Sequence, residues 1–489
     1  MLNSKIIAMR RFAEVLASKI RLVDSSRATG AIVSLCFLVA CGAIALHSPG
    51  HVSMDTSVQL YEASIGESVS WNPPFMSAVL RWFGGGELAT ASIVLLNTLC
   101  FYGAFAMVAI SVSHMRKTQG LSKIPTWRAA VACLLILNPV IFVYTGIVWK
   151  DVLFAALLTA AAALGILTAS KRGLELRVYA ALSILLFASA LLTRQQGIFM
   201  APLLLLILPI ARWPVGRFSK IRLVALILIG FVAAVLMLQA TSSQSIRRAD
   251  GQSTSVGYRS IMIFDLAGIV AYSTRTSDEF AYPITAQQTQ AVRAVYDPRA
   301  IDYLERNPVA INWIGALSNR SLFDAWRLMV IQNPSAYLSH RIAVYGTLLG
   351  LPGKNLTAPL HIGVDGNAEY LAAVGVPVGR DARDQLVYQI ASSFFKWPIY
   401  RHAFWLCFLV AATVIVAKAH LPGHLRMVCA VIISATFLLY FSFIPTAIAC
   451  DFRYLFAAIP LITIVALILL LGSGREDFDS LKRTSQSSI

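Results

Sequence analysis

Asp55, Lys150-Asp151, Arg194-Gln195 and Asp451-Phe452-Arg453-Tyr454 all sit close to the ends of long apolar runs. Ionisable groups at a membrane boundary are costly to desolvate, and by default they mark a functional site. A lone lysine or arginine there can simply snorkel to a lipid headgroup, and an adjacent acid and base can pin a helix end. Acid and base together at three separate turns exceed what anchoring needs. A carboxylate such as Asp55 can align an acceptor hydroxyl or take its proton. Arginine grips phosphate through its bidentate fork and lysine as a point charge. Lys150, Arg194 and Arg453 are therefore candidate phosphate ligands, with Asp151, Gln195, Asp451 and Tyr454 as supports. A phosphate beside an apolar bundle points to a lipid-linked phosphosugar, with its tail between helices and its head among the cations.

The stretch GHVSMDTSVQLYEASIGESVSWNPPF, residues 50–75, must position the first carboxylate. Its Ser-x-Asp-Thr-Ser run reads as a helix N-cap, and Val58, Tyr61 and Ile65 recur at helical spacing. A cap and a catalytic carboxylate are compatible roles for Asp55. Glu62 falls on the same helix face and is a candidate helper in the acceptor loop, as is Asn72. Glu67 reads as a solvated helix-end charge. Pro73 and Pro74 are expected to stop the helix and turn the chain back toward the membrane.

The rest of the chain explains why such a loop needs a bilayer. Of its 489 residues 57% are hydrophobic and only 13% charged, and the mean hydropathy is +0.69; soluble domains carry about 25% charged residues. Apolar runs near the ~20 residues that span a bilayer predict an all-α polytopic membrane protein. About ten spans (10–12) are expected, at 29–47, 89–112, 129–148, 151–170, 178–193, 197–212, 222–240, 402–419, 427–447 and 453–472. The net charge of +17 does not imply nucleic acid, because more than half of the 41 basic residues fall in segments on the amino-terminal side of the bundle. By the positive-inside rule both termini are expected in the cytoplasm, with the charged turns outside.

The expected organisation is a cytoplasmic amphipathic segment 1–28, a transmembrane bundle 29–240 whose first outer loop is 48–88, an outer segment 241–401, transmembrane helices 402–472 and a cytoplasmic tail 473–489. Residues 5–22 would lie on anionic lipid. The outer segment is read as mainly helical, with 328–350 as a candidate re-entrant stretch. Arg259, Asp265, Asp324, Arg327 and Arg341 are its candidate contributors, and Asn355 heads a glycosylation sequon. The seven cysteines lie in or beside apolar runs without CxxC spacing, which argues against a disulfide or zinc framework.

An Asp in the first outer loop, followed by a short helix and an Asn-Pro-Pro corner, resembles the GT-C superfamily of polytopic glycosyltransferases. The nearest likeness is to bacterial relatives of the protein mannosyltransferase and aminoarabinose transferase group. WKDVLFA, LLTRQQGIF, FDAWRLMVIQNPSAYLSHR and DFRYLFAAIP look like later blocks of the same pattern. The resemblance implies a GT-C-like bundle, a polyprenyl-phosphate sugar donor, Asp55 as the catalytic carboxylate and Lys150, Arg194 and Arg453 on the donor phosphate. It implies inverting transfer at the outer face of a bacterial inner membrane. Asn72 stands where relatives often carry His, and the first loop lacks the paired acids of the protein mannosyltransferases. A glycan or glycolipid acceptor therefore fits better than a protein. No metal or other cofactor is required, although Asp55, Glu62 and Glu67 are oxygen ligands of the kind a divalent metal takes. The competing readings are an O-antigen ligase or polymerase, which would rely on His340 and Arg341, and a lipid-linked sugar transporter or flippase. A transporter would carry charge near the bilayer midplane, where these helices have almost none.

Overall fold

The computed structural model of the chain describes residues 22–211, 217–248, 256–351 and 359–474. Nearly all of the 5–22 segment, the Asn355 sequon and most of the 473–489 tail lie outside them. Inside lipid every backbone N–H and C=O must be satisfied within the segment, so apolar runs become helices. Among the described residues eight helical segments are long and apolar enough to cross a membrane: Ser25–His47, Gly86–Thr118, Thr126–Thr145, Lys150–Ser170, Gly173–Thr193, Ile221–Ser245, Gly423–Thr446 and Phe452–Gly472. Two shorter apolar helices, Gly197–Ala211 and His402–Lys418, occupy the remaining two expected segments. The protein is an all-α polytopic membrane protein. Strand pairing among the described residues is limited to short two-stranded ladders and isolated bridges.

Burial divides the helices into centre and rim. In Lys150–Ser170, 94% of the most apolar window is buried, and in Phe452–Gly472, 89%. In Ile221–Ser245 and Ser25–His47 the figures are 11% and 17%, so these helices present most of their surface outward. The two central helices both begin at the charged end of the bundle, one at Lys150-Asp151 and the other just after Asp451.

The expected span 129–148 is broken. Helix Thr126–Ile136 stops, Asn138 accepts a hydrogen bond from the Val140 N–H at 2.9 Å, and Pro139 opens a new helix ending at Thr145. Asn-Pro is a capping pair followed by a residue suited to the first helical position.

Residues 256–351 and 359–401 fold as short helices. The 328–350 stretch forms the end of Asn319–Gln332 and then Pro334–Leu348, helices of 14 and 15 residues separated at Asn333. At 1.5 Å per residue each reaches only about 20 Å, short of the ~30 Å hydrocarbon core. A buried polar knot holds this region. Asp265 accepts from Trp326 Nε1 at 2.8 Å and pairs with Arg341 at 2.7 Å and His340 at 3.2 Å. Arg341 also donates to the Ala447 carbonyl at 2.8 Å, which ties the knot to the turn before Asp451.

Candidate active site

The first loop is fixed in place by backbone pairing with two distant segments. His51 N–H donates to the Gly146 carbonyl at 2.9 Å, and Val148 N–H to the His51 carbonyl at 3.0 Å. On the other side Val52 N–H reaches the Gly363 carbonyl at 3.0 Å, and Asp365 N–H the Val52 carbonyl at 2.8 Å. Two glycines permit this. Gly50 has φ +120°, a region L side chains avoid, and a Cβ there would lie 2.8 Å from Val148. A Cβ on Gly146 would fall 2.3 Å from the His47 ring.

Helix Met54–Ile65 follows. Ser53 takes the N-cap position but makes no side-chain cap bond; its hydroxyl accepts from Trp149 Nε1 at 2.7 Å instead. Asp55 lies inside the first turn and is not the cap, so its carboxylate is free to reach outward. The helix ends at Gly66, whose left-handed conformation (φ 78°) brings its N–H to the Glu62 carbonyl. The stop is therefore a glycine cap. Trp71-Asn72-Pro73-Pro74 instead leads into the next helix, Phe75–Trp82.

At the loop end of the bundle Asp55 meets the other charged turns. Its Oδ2 is 2.7 Å from Arg453 Nη1. Arg453 Nε is 2.7 Å from Asp451 and 3.9 Å from Asp151. Asp151 pairs with Arg194 at 2.6 Å, and Arg194 donates also to the Tyr454 carbonyl at 2.9 Å. Aromatic rings frame the cations. Arg453 lies 4.7 Å from the Trp149 ring centroid, Arg194 5.2 Å from Tyr454, and Lys150 5.1 Å from Trp71. Lys150 donates a hydrogen bond to Asn72 Oδ1. Among the described residues it makes no ion pair with a carboxylate, in contrast to both arginines.

The electrostatics of the two exposed-side carboxylates differ. Burial raises the Asp55 carboxyl, but the charges of Arg453 and Lys150 outweigh it and hold the group below the usual carboxylate range. For Asp451 burial wins over Arg453, with Asp151 and Asp55 adding to it, and its carboxyl is pushed up. Asp55 keeps 40% of its side chain exposed, against 1% for Asp151.

Other sequence candidates fall elsewhere. Glu62 shares the Asp55 face of the helix but is fully buried, and its oxygens are occupied. They accept from Val69 N–H at 2.9 Å, Ser70 N–H at 2.8 Å and the Ser77 hydroxyl at 2.6 Å. Glu62→Ala is expected to cost about 1–3 kcal/mol, the price of orphaned buried donors, and a thermal melt in detergent would read it. An unchanged melt would refute that role. Gln195 is exposed beside Gly257. Arg327 is exposed on its helix, and Arg341, with His340, is buried in the Asp265 knot and makes no ion pair with Asp55, Asp151 or Asp451 among the described residues. Trp71 and Trp149 were not anticipated, although each adjoins a residue that was.

Neither the family models nor the curated proteins provide a match to this chain. Solved structures do. The chain is similar to the Archaeoglobus fulgidus oligosaccharyltransferase in complex with Zn and sulfate, with TM-score 0.39 and 12% identity over 92% of this chain and 50% of that one. It is similar to oligosaccharyltransferase AglB of the same organism in complex with an inhibitory peptide and a dolichol-phosphate, with TM-score 0.37 and 11% identity over 94% and 52%. It is similar to ArnT from Cupriavidus metallidurans in the apo state, with TM-score 0.31 and 13% identity over 91% and 78%. The chain spans about half the length of the archaeal oligosaccharyltransferase chains in these structures.

Proposed function

We propose that this protein is a membrane glycosyltransferase of the GT-C type. It moves a sugar from a polyprenyl-phosphate donor to a glycan or glycolipid acceptor of the cell envelope, at the outer face of a bacterial inner membrane. One observation carries the reading: Asp55 and three basic side chains from separate turns converge at one end of the bundle, and Lys150 among them has no carboxylate partner among the described residues. The sequence pattern around Asp55 supports it.

In this mechanism the acceptor hydroxyl lies against Asp55. Its oxygen bonds to the anomeric carbon as the bond from that carbon to the phosphate oxygen breaks, and the electron pair leaves with the polyprenyl phosphate. The hydroxyl proton passes to Asp55. Attack opposite the departing phosphate inverts the anomeric centre. Lys150, Arg194 and Arg453 stabilise the charge growing on the phosphate, and the N-terminus of the Lys150 helix adds a favourable dipole. No step depends on a metal.

The Lys150→Met variant is expected to lower kcat/KM for a labelled polyprenyl-phosphate sugar by about 10²-fold, as for loss of one stabilising donor. Mass spectrometry of envelope glycans with and without the protein names the sugar and the acceptor. Identical glycans in both cells would overturn the reading.

A further inference from the structure

The cluster is charge-balanced before any donor arrives: Lys150, Arg194 and Arg453 face Asp55, Asp151 and Asp451. Arg453 is already engaged by all three acids. A donor phosphate bound at Lys150 can recruit Arg453 only by displacing one of them. Asp151 is buried and locked to Arg194 at 2.6 Å. Asp451 accepts from the Arg453 backbone N–H at 3.2 Å and starts the turn that carries that residue. Asp55 has the most exposed side chain of the three and no hydrogen bond or ion pair other than Arg453 among the described residues. It is the carboxylate that can leave.

Resting on the functional reading above, we propose that Asp55 and the donor phosphate compete for Arg453, so that the base stays latched until the donor arrives and releases it. The chemistry benefits twice. A carboxylate tied to a guanidinium is a poor proton acceptor, because the cation favours its ionised form. Once the phosphate takes that cation, Asp55 faces a new anion and its affinity for a proton rises. The acceptor proton then has a place to go only when a sugar is present to receive the acceptor oxygen. The charged groups acting on Asp55 from the neighbouring elements are Arg453, Lys150 and Asp451. Arg81, on the helix after the corner, binds the far end of the Asp55 helix through the Ala63 carbonyl at 2.7 Å.

The test is binding of an unreactive monoanionic phosphodiester, polyprenyl methyl phosphate, to the full chain in nanodiscs, with the uncharged polyprenol as control. The wild type is expected to bind it in preference to the polyprenol. Asp55→Asn and Asp55→Ala are expected to bind it about tenfold more tightly, in the range of ordinary coupling between sites, because the competing negative charge is gone. Equal or weaker binding by folded Asp55 variants would sink the latch and leave the function standing. Unfolding of both variants would show Asp55 to be a fixed structural tie and overturn the latch as well. Failure of the wild type to prefer the phosphodiester over the polyprenol would sink the functional reading, and the latch with it.

Discussion

Asp55→Asn is expected to lower turnover by roughly 10²- to 10⁴-fold, the usual worth of a positioned general base. Asparagine has nearly the same shape and can still accept a hydrogen bond from Arg453, which sits 2.7 Å from the native carboxylate. It cannot take the acceptor proton. The fold should survive, because the Asp55 side chain is 40% exposed and exposed ion pairs add little to stability. Single-turnover transfer of a labelled sugar, beside a thermal melt, separates the two effects. The donor KM should fall while kcat collapses, a pattern that loss of fold would not produce. Retention of more than about a tenth of the wild-type turnover would exclude Asp55 as the base on these magnitudes. Asp55→Glu keeps the charge but moves it by one methylene, and partial recovery is expected.

The ten apolar segments were legible because lipid leaves an apolar chain little choice but helix. Their ends were less so. The expected 89–112 span runs from Gly86 to Thr118, since a helix continues into Arg116 and Lys117 after hydropathy has fallen; basic residues suit a helix C-terminus. The charged turns could be read as one site because burying an ion is costly wherever it occurs, and four turns on one face must lie near each other. Partners could not be read. Helical periodicity puts Asp55 and Glu62 on one face, yet it is silent on what faces them. Asp55 meets Arg453, nearly four hundred positions away, while Glu62 meets backbone donors a few residues ahead. The pairing of Val52 with the Gly363–Asp365 segment has no local sequence signal at all. His340 and Arg341 are the residues on which a ligase reading would rely; the Asp265 carboxylate that pairs with both comes from a separate helix, which their local sequence does not indicate.

The Asp151–Arg194 pair should yield the largest stability effect. Asp151 is 1% exposed and Arg194 8%, and their charged atoms are 2.6 Å apart. They join the most buried span to the turn between Gly173–Thr193 and Gly197–Ala211. Removing one partner of such a pair strands the other charge out of water, at about 3–5 kcal/mol. Asp151→Asn is therefore expected to destabilise the protein by that amount, as is Arg194→Met, although the Tyr454 carbonyl still accepts from Arg194 in the first case and cushions it. The double variant Asp151→Asn/Arg194→Met should cost much less than the sum, since no charge is left unpaired. Unfolding in detergent micelles across this cycle gives the coupling energy directly. Additive losses would mean that the pair is hydrated and worth no more than a surface bridge. The double variant also separates fold from chemistry. It should approach wild-type stability more closely than either single change, yet transfer sugar poorly, because a cation proposed for the donor phosphate is gone.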